Sequence, residues 1–427
     1  MTAEFGVRGG LFLALFIGLA GLCGACSPSP APKARPTPLT LAVSPSSALP
    51  AAPALALHGN AQRGHELMRR FECNRCHEGT NLPAVPLEKH CFACHEQIAI
   101  GTFKVSPHAL ARFRPHVIDA RDAPSLTATA ARFEGGWLRD YLLSARDLRP
   151  KLEPTMPRLD LSVEQASDIA AYLTEGAEPG SAGSVRRSNP AHGRELMERL
   201  ACAGCHAFGT LPAFPSVSAL PPESEAGRSA ALAPDLRFAR ERFRPDRLLT
   251  WLLDPKAVKA DTRMPNFGLS EDDAQDIAAY IWTAPLAPPP SPVFARLPVL
   301  RRRVSFDEVN AKVFSRTCHH CHTDADAAGG DGGPGNTGGF GFAPRGVSFS
   351  SQASIRAGYV DGQGQRRSLF ERLGDGTPRL IAALLARHAE ADQAPNPAVR
   401  GMPLGLPPLS AEEIQLVETW VAEGTPL

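Results

Sequence analysis

Gly193-Arg-Glu-Leu-Met-Glu-Arg-Leu-Ala-Cys202-Ala-Gly-Cys205-His206 echoes an earlier stretch, Gly64-His-Glu-Leu-Met-Arg-Arg-Phe-Glu-Cys73-Asn-Arg-Cys76-His77. Both end in Cys-x-x-Cys-His, and that pattern returns at Cys91-Phe-Ala-Cys94-His95 and Cys318-His-His-Cys321-His322. With 10 Cys and 13 His in 427 residues, random placement would give roughly 0.01 such motifs. The spacing is the attachment pattern for a c-type haem: two thiols bond the porphyrin edge, and the adjacent imidazole reaches the iron. The alternative is a zinc ribbon, because Cys73-x2-Cys76-x14-Cys91-x2-Cys94 is close to that pairing. Zinc does not require a histidine after each pair, and all four pairs have one. The pairs at 202 and 318 also stand alone, so haem is the expectation throughout. Outside the N-terminal segment no cysteine is left over for a disulfide framework.

Outward from the motifs the echo continues. Leu-Pro-Ala-x-Pro follows at 82–86 and 211–215, then Ala123-Pro-Ser-Leu126 and Ala233-Pro-Asp-Leu236. Thr155-Met-Pro157 and Arg263-Met-Pro265 come next, each leading to Leu-Ser and Asp-Ile-Ala-Ala-Tyr. This is a duplicated unit, at 59–176 and 188–284, with a flexible linker at 177–187 and a Pro-rich one at 285–302. Residues 303–427 form a third, diverged copy with one motif, Gly401-Met-Pro403 and a Gly-rich insertion at 329–346.

Each copy reads as helical. Leu196, Met197 and Leu200 fall at helical spacing ahead of a motif. Ser162-x-x-Gln165, Ser270-x-x-Asp273 and Ser410-x-x-Glu413 are helix-start signatures just after each Met-Pro. They predict amphipathic closing helices with Ile169 and Leu173, Ile277 and Ile281, or Val417 and Val421 turned inward. No strand-like alternation is prominent.

The order helix, Cys-x-x-Cys-His, loop, Met-Pro, closing helix resembles class I cytochrome c over nearly all of residues 59–427. The resemblance implies an all-α chain of three tandem class I cytochrome c-like domains, the first with an inserted extra haem site. It also implies four covalently attached haem c groups, on Cys73 and Cys76, Cys91 and Cys94, Cys202 and Cys205, and Cys318 and Cys321. In that family the motif His is the proximal iron ligand and the loop Met the distal one. Carried over, His77 pairs with Met156, His206 with Met264 and His322 with Met402, with His388 as an alternative to Met402. A proline carbonyl for the proximal His would come from Pro124 and Pro234. Gly64 and Gly193 match the glycine where first and last helices cross, whereas the third copy has Val309 there. Met68 and Met197, among apolar neighbours, read as core.

The haem at Cys91, Cys94 and His95 has no methionine. Repeat one has 36 residues between Pro86 and Ala123, against 17 between Pro215 and Ala233. The extra stretch contains His90, His108 and His116, and the shorter one has no histidine. This correlation implies bis-His ligation of His95 with His116, with His108 or an open sixth position as alternatives. His90 immediately precedes Cys91 and is poorly placed for the far face.

The N-terminus bears on location. Leu11 to Leu22 is an apolar run of signal-peptide length, short for a membrane span. Small residues before Cys26 resemble a bacterial lipoprotein signal, which implies cleavage and lipidation there; an ordinary secretory signal is the alternative. Residues 27–58, rich in Pro, Ala and Ser, read as a tether reaching up to roughly 90 Å at about 3 Å per residue. The 45 basic and 44 acidic residues balance, which argues against a nucleic-acid partner. The expectation is a periplasmic, lipid-anchored electron carrier between a redox donor and an acceptor protein. The competing expectation is a haem enzyme, a peroxidase or a reductase of a small oxyanion, using an open site at Cys91–His95.

Overall fold

The computed structural model describes residues 58–117, 121–152, 156–177, 188–209, 211, 220–221, 224–287, 294–323, 333–392, 394, 396 and 398–427. Cys26, the leader and nearly all of the tether lie outside the described residues, as do most of the first linker and residues 288–293 of the second.

Helix α1 (Ala61–Arg70) starts at Asn60, whose side chain accepts a hydrogen bond from the Arg63 N–H. Helices α2 (Cys91–Ile100) and α3 (Pro107–Val117) pack through Ile98, Ala99 and Val117, with Leu110 and Phe113 alongside. Helix α4 (Gly135–Leu143) precedes α5 (Val163–Leu173), which begins with the expected reciprocal Ser162–Gln165 capping box. Ile169 is buried on α5. α1 crosses α5 at Gly64, where a Cβ would lie 2.1 Å from the Asp168 carbonyl oxygen. Only glycine permits so close a backbone approach.

The second copy repeats the construction. Helix α6 (Pro190–Arg199) crosses the helix Glu271–Thr283 at Gly193, 2.0 Å from the Asp276 carbonyl oxygen by the same measure. Ser270 caps that closing helix through the Asp273 N–H, and Ile277 and Ile281 are buried.

Each crossing is also clasped. The Asp168 side chain accepts from the Asn60 N–H at 2.6 Å, and the Asp276 side chain from the Asn189 N–H at 2.6 Å. Arg63 Nε adds a bond to Asp168 at 2.8 Å, and His192 Nδ1 approaches Asp276 at 2.8 Å. Arg63 holds the buried Asp168 carboxyl below the usual carboxylate range, with the Asn60 N–H assisting, against the upward pull of burial.

The segment 303–427 departs from this construction where glycine is missing. Its first helix, Phe306–Val309, continues as a π-helical run, Asn310–Cys318. Val309, Val313 and Phe314 are buried against Ile414, Val417 and Trp420 of the closing helix Ala411–Ala422. Side chains therefore make this crossing, not touching backbones. The Ser410–Glu413 capping box is present as expected.

The chain is mostly helical. Among the described residues the strands are the antiparallel pair Tyr359–Val360 and Arg366–Arg367. The first two copies join over Phe133 and Phe243, with the buried Arg242 guanidinium lying over Phe133 and Trp137.

Candidate metal centres

Three of the motifs share one turn. Glu72 and Ala201 take left-handed φ angles of 53° and 54° immediately before Cys73 and Cys202. The chain then makes a tight turn closed by His77 N–H to Cys73 O and His206 N–H to Cys202 O, both 2.9 Å. His322 N–H to Cys318 O closes the third at 2.9 Å.

The imidazoles test whether these residues suit a haem. His77 Nδ1 lies 2.8 Å from the Pro124 carbonyl, and His206 Nδ1 lies 2.8 Å from the Pro234 carbonyl. A carbonyl only accepts, so each Nδ1 carries the proton and each Nε2 presents its lone pair. A metal-ligating histidine is oriented in this way. Burial lowers the pKa of both rings, against a smaller opposing pull from the proline carbonyls, and so keeps them in the neutral, metal-binding form. The donor sets fit a haem c at both motifs.

At the third motif burial pushes His322 down to about 4. Its Nδ1 closes no well-formed hydrogen bond, although the Val347 and Gly335 backbones approach it. Gly335 cradles the ring: a Cβ there would lie 2.1 Å from His322 Cε1. The insertion thus supplies this site's wall.

Burial holds Cys73 and Cys318 at about 12, and Cys94 and Cys202 at about 11. None is a standing thiolate of the kind redox-catalytic cysteines use. Among the described residues no group of three or more His, Cys, Asp or Glu has the geometry of an ion site.

The loop methionines differ in setting. Met264 packs in the same apolar cluster as Cys202, and Trp251 Nε1–H donates to its Sδ at 2.9 Å. Met156 and Met402 are half-buried. Their loops lie against each other: Arg158 Nη2 donates to the Pro403 carbonyl at 2.9 Å and Arg158 pairs with Glu390 at 2.5 Å. Glu390 also accepts the Gly401 N–H at 2.6 Å. His388 Nε2 is bonded to the Leu409 carbonyl at 2.8 Å, and its ring stacks on Phe294 at 3.7 Å, so that nitrogen is committed. Met68 and Met197 are core residues.

The motif at 91 is built differently, as the first turns of α2. Cys91, Cys94 and His95 stand at i, i+3 and i+4, which puts them on one helix face. His90 caps this helix, its Nδ1 accepting from Ala93 N–H at 3.2 Å. His108 is exposed and its position on α3 is opposite the apolar face of Leu110, Phe113 and Val117. His116 is on α3, and its side chain lies outside the described set.

Contacts link the motifs. Cys76 and Cys91 are within hydrogen-bonding reach, and this contact, then burial, raises the Cys76 pKa. Lys151 Nζ donates to the Gly204 and Cys205 carbonyls at 3.1 and 3.0 Å, tying copy one to the motif of copy two. Phe340 N–H donates to Glu72 Oε2 at 3.0 Å, and Arg75 lies over the Phe340 ring, tying the segment around Phe340 to the first motif. Sequence reasoning did not identify these ties. It also missed the Asp168 and Asp276 clasps, whose signal was the aspartate repeated in Asp-Ile-Ala-Ala-Tyr.

Comparison with known proteins points the same way. Residues 188–281, which include Cys202, Cys205, His206 and Met264, match the family described as cytochrome C oxidase, cbb3-type, subunit III. The chain is 33% identical over 109 residues to a Cytochrome c-552 of Bradyrhizobium diazoefficiens, covering 25% of this chain and 84% of that protein. No solved structure matches. No helix among the described residues is long and apolar enough to cross a membrane.

Proposed function

The chain belongs to the c-type cytochromes, and we propose that it is a tetrahaem electron carrier of the bacterial cell envelope. Haem-based electron transfer is the activity of this family; the number of haems and the location are the proposal. It has three tandem class I cytochrome c-like domains, at 59–176, 188–284 and 303–427, the first holding the second haem. The observation that carries the reading is the locking of His77 and His206 Nδ1 onto proline carbonyls, beside paired cysteines and ahead of a methionine loop.

When bound, each haem supplies a one-electron Fe(III)/Fe(II) couple. The chain's own residues do the rest. The cysteine pairs would anchor the haems, and His77, His95, His206 and His322, with Met156, Met264 and Met402, would hold the irons. A thioether raises the potential relative to a second imidazole. Three higher-potential haems and one lower-potential haem, the one at Cys91, follow if that haem is bis-His. Cleavage and lipidation at Cys26 would hold the chain by its tether to a membrane on the periplasmic side, where it passes electrons from a redox donor to an acceptor.

Carbon monoxide tests this reading. The fully reduced chain is expected to bind none quickly, because the proposed ligands would leave no iron open. Rapid binding at one haem would instead favour a peroxidase or small-oxyanion reductase centred on Cys91–His95.

A further inference from the structure

We propose that His320, from the third copy, is the sixth ligand of the haem carried by Cys91, Cys94 and His95. The proposal rests on the tetrahaem reading and names a ligand that lies outside the inserted segment itself. The two histidines inside Cys318-His-His-Cys321 are used differently. His319 Nε2 is bonded to the Phe349 carbonyl at 2.9 Å, so it is spent on its own domain. His320 is exposed, and its ring centre lies 5.7 Å from that of His95, with the planes 51° apart. Two imidazoles on opposite sides of one iron, each bound at about 2.0 Å, put their ring centres roughly 6.3 Å apart. The observed separation is about 0.6 Å short of that, a gap that a small side-chain adjustment closes.

Distance alone would also suit a plain ring contact, which spans about 4.5–7 Å. Placement decides in favour of ligation. The three donor residues Cys91, Cys94 and His95 share one face of α2, and His320 is paired with the His95 ring on it. His108 belongs to the opposite side of α3 from the apolar face that meets α2. The ligand also has a consequence for the wire. His320 is two residues from His322, so one short stretch of backbone would join the ligands of two irons. The first and third copies already touch at this level through Glu72 and Phe340.

The test uses the full holo chain. Denatured mass first counts the haems, and low-temperature EPR with carbon monoxide titration then counts open sites. His320→Gly is expected to turn one haem of four high-spin and able to bind one carbon monoxide, and added imidazole is expected to restore it. His320→Met, which keeps a ligand in place, is expected to leave all haems low-spin and to raise only the lowest midpoint. Four low-spin haems in His320→Gly, or a high-spin haem produced by His116→Ala alone, would overturn the proposal. If His320→Gly does not assemble, unchanged midpoints in His320→Met overturn it. A wild-type mass carrying only three haems, with Cys91 and Cys94 bare, would sink the tetrahaem reading and this proposal together.

Discussion

Gly193→Ala is expected to destabilise the second copy, although alanine is the better helix former. The new Cβ would sit 2.0 Å from the Asp276 carbonyl oxygen and 2.4 Å from its carbon. Those atoms belong to the backbone of the closing helix and cannot rotate aside, so the two helices must part by more than about 1 Å to reach ordinary contact. Overpacking of this kind costs ~1–3 kcal/mol, and a rigid neighbour places it at the upper end. Exchanging glycine for alanine inside a helix returns ~1 kcal/mol. The net loss is therefore about 2 kcal/mol, or roughly 8–16 °C in the midpoint of a domain of this size. Parting the helices also strains the Asn189 N–H to Asp276 clasp. The assay is thermal unfolding of the holo chain, followed by circular dichroism in the haem and peptide bands. A midpoint that is unchanged, or raised as helix preference alone would have it, refutes the reasoning. Val309 gives the reciprocal control. It is fully buried in side-chain contacts, so Val309→Gly is expected to destabilise by about 2–3 kcal/mol through lost packing and glycine entropy.

Asp168 carries a pH signature. Its folded pKa is below the usual carboxylate value, so its stabilisation is present above about pH 4 and is lost as pH falls through the folded value. Asp168→Asn should lower the first copy's stability at neutral pH and flatten its acid dependence, read from unfolding midpoints between about pH 3 and 7. Trp251→Phe removes the donor to Met264 Sδ. A neutral hydrogen bond of ~0.5–1.5 kcal/mol corresponds to roughly 20–65 mV in a one-electron couple. With Met264 as the proposed iron ligand, loss of that donor would make the sulfur a stronger donor to Fe(III), so one midpoint should fall by up to that amount while the others stay. Arg158→Gln leaves Glu390 without its cation at the contact between the Met156 and Met402 loops. With both side chains mostly buried, at 17% and 11% exposed, the expected loss is about 2–3 kcal/mol, measured by denaturant unfolding.

The parts legible in the sequence are those in which a local pattern has a single use. Ser162, Ser270 and Ser410 cap helices because their partners three residues on are fixed by helix geometry. Pro124 and Pro234 meet their histidines as the resemblance to class I cytochrome c implies. Gly64 and Gly193 stand at the crossings that the same resemblance implies, and the close backbone approach there leaves no room for a side chain. What escaped notice depends on approach between distant segments. Lys151 reaching Gly204, Arg158 reaching Pro403 and His320 facing His95 are separated by tens to hundreds of residues. No periodicity encodes such meetings. Val309 warned that the third crossing would differ, but not that the helix before Cys318 would widen into a π-helix.

The chain is proposed to carry four haems, one set apart by its ligand. A coulometric redox titration of the purified holo chain, followed optically, tests it most directly. Four electrons per chain are expected, three taken up at higher potentials and one at a distinctly lower potential. Fewer than four electrons, or four indistinguishable midpoints, would contradict it.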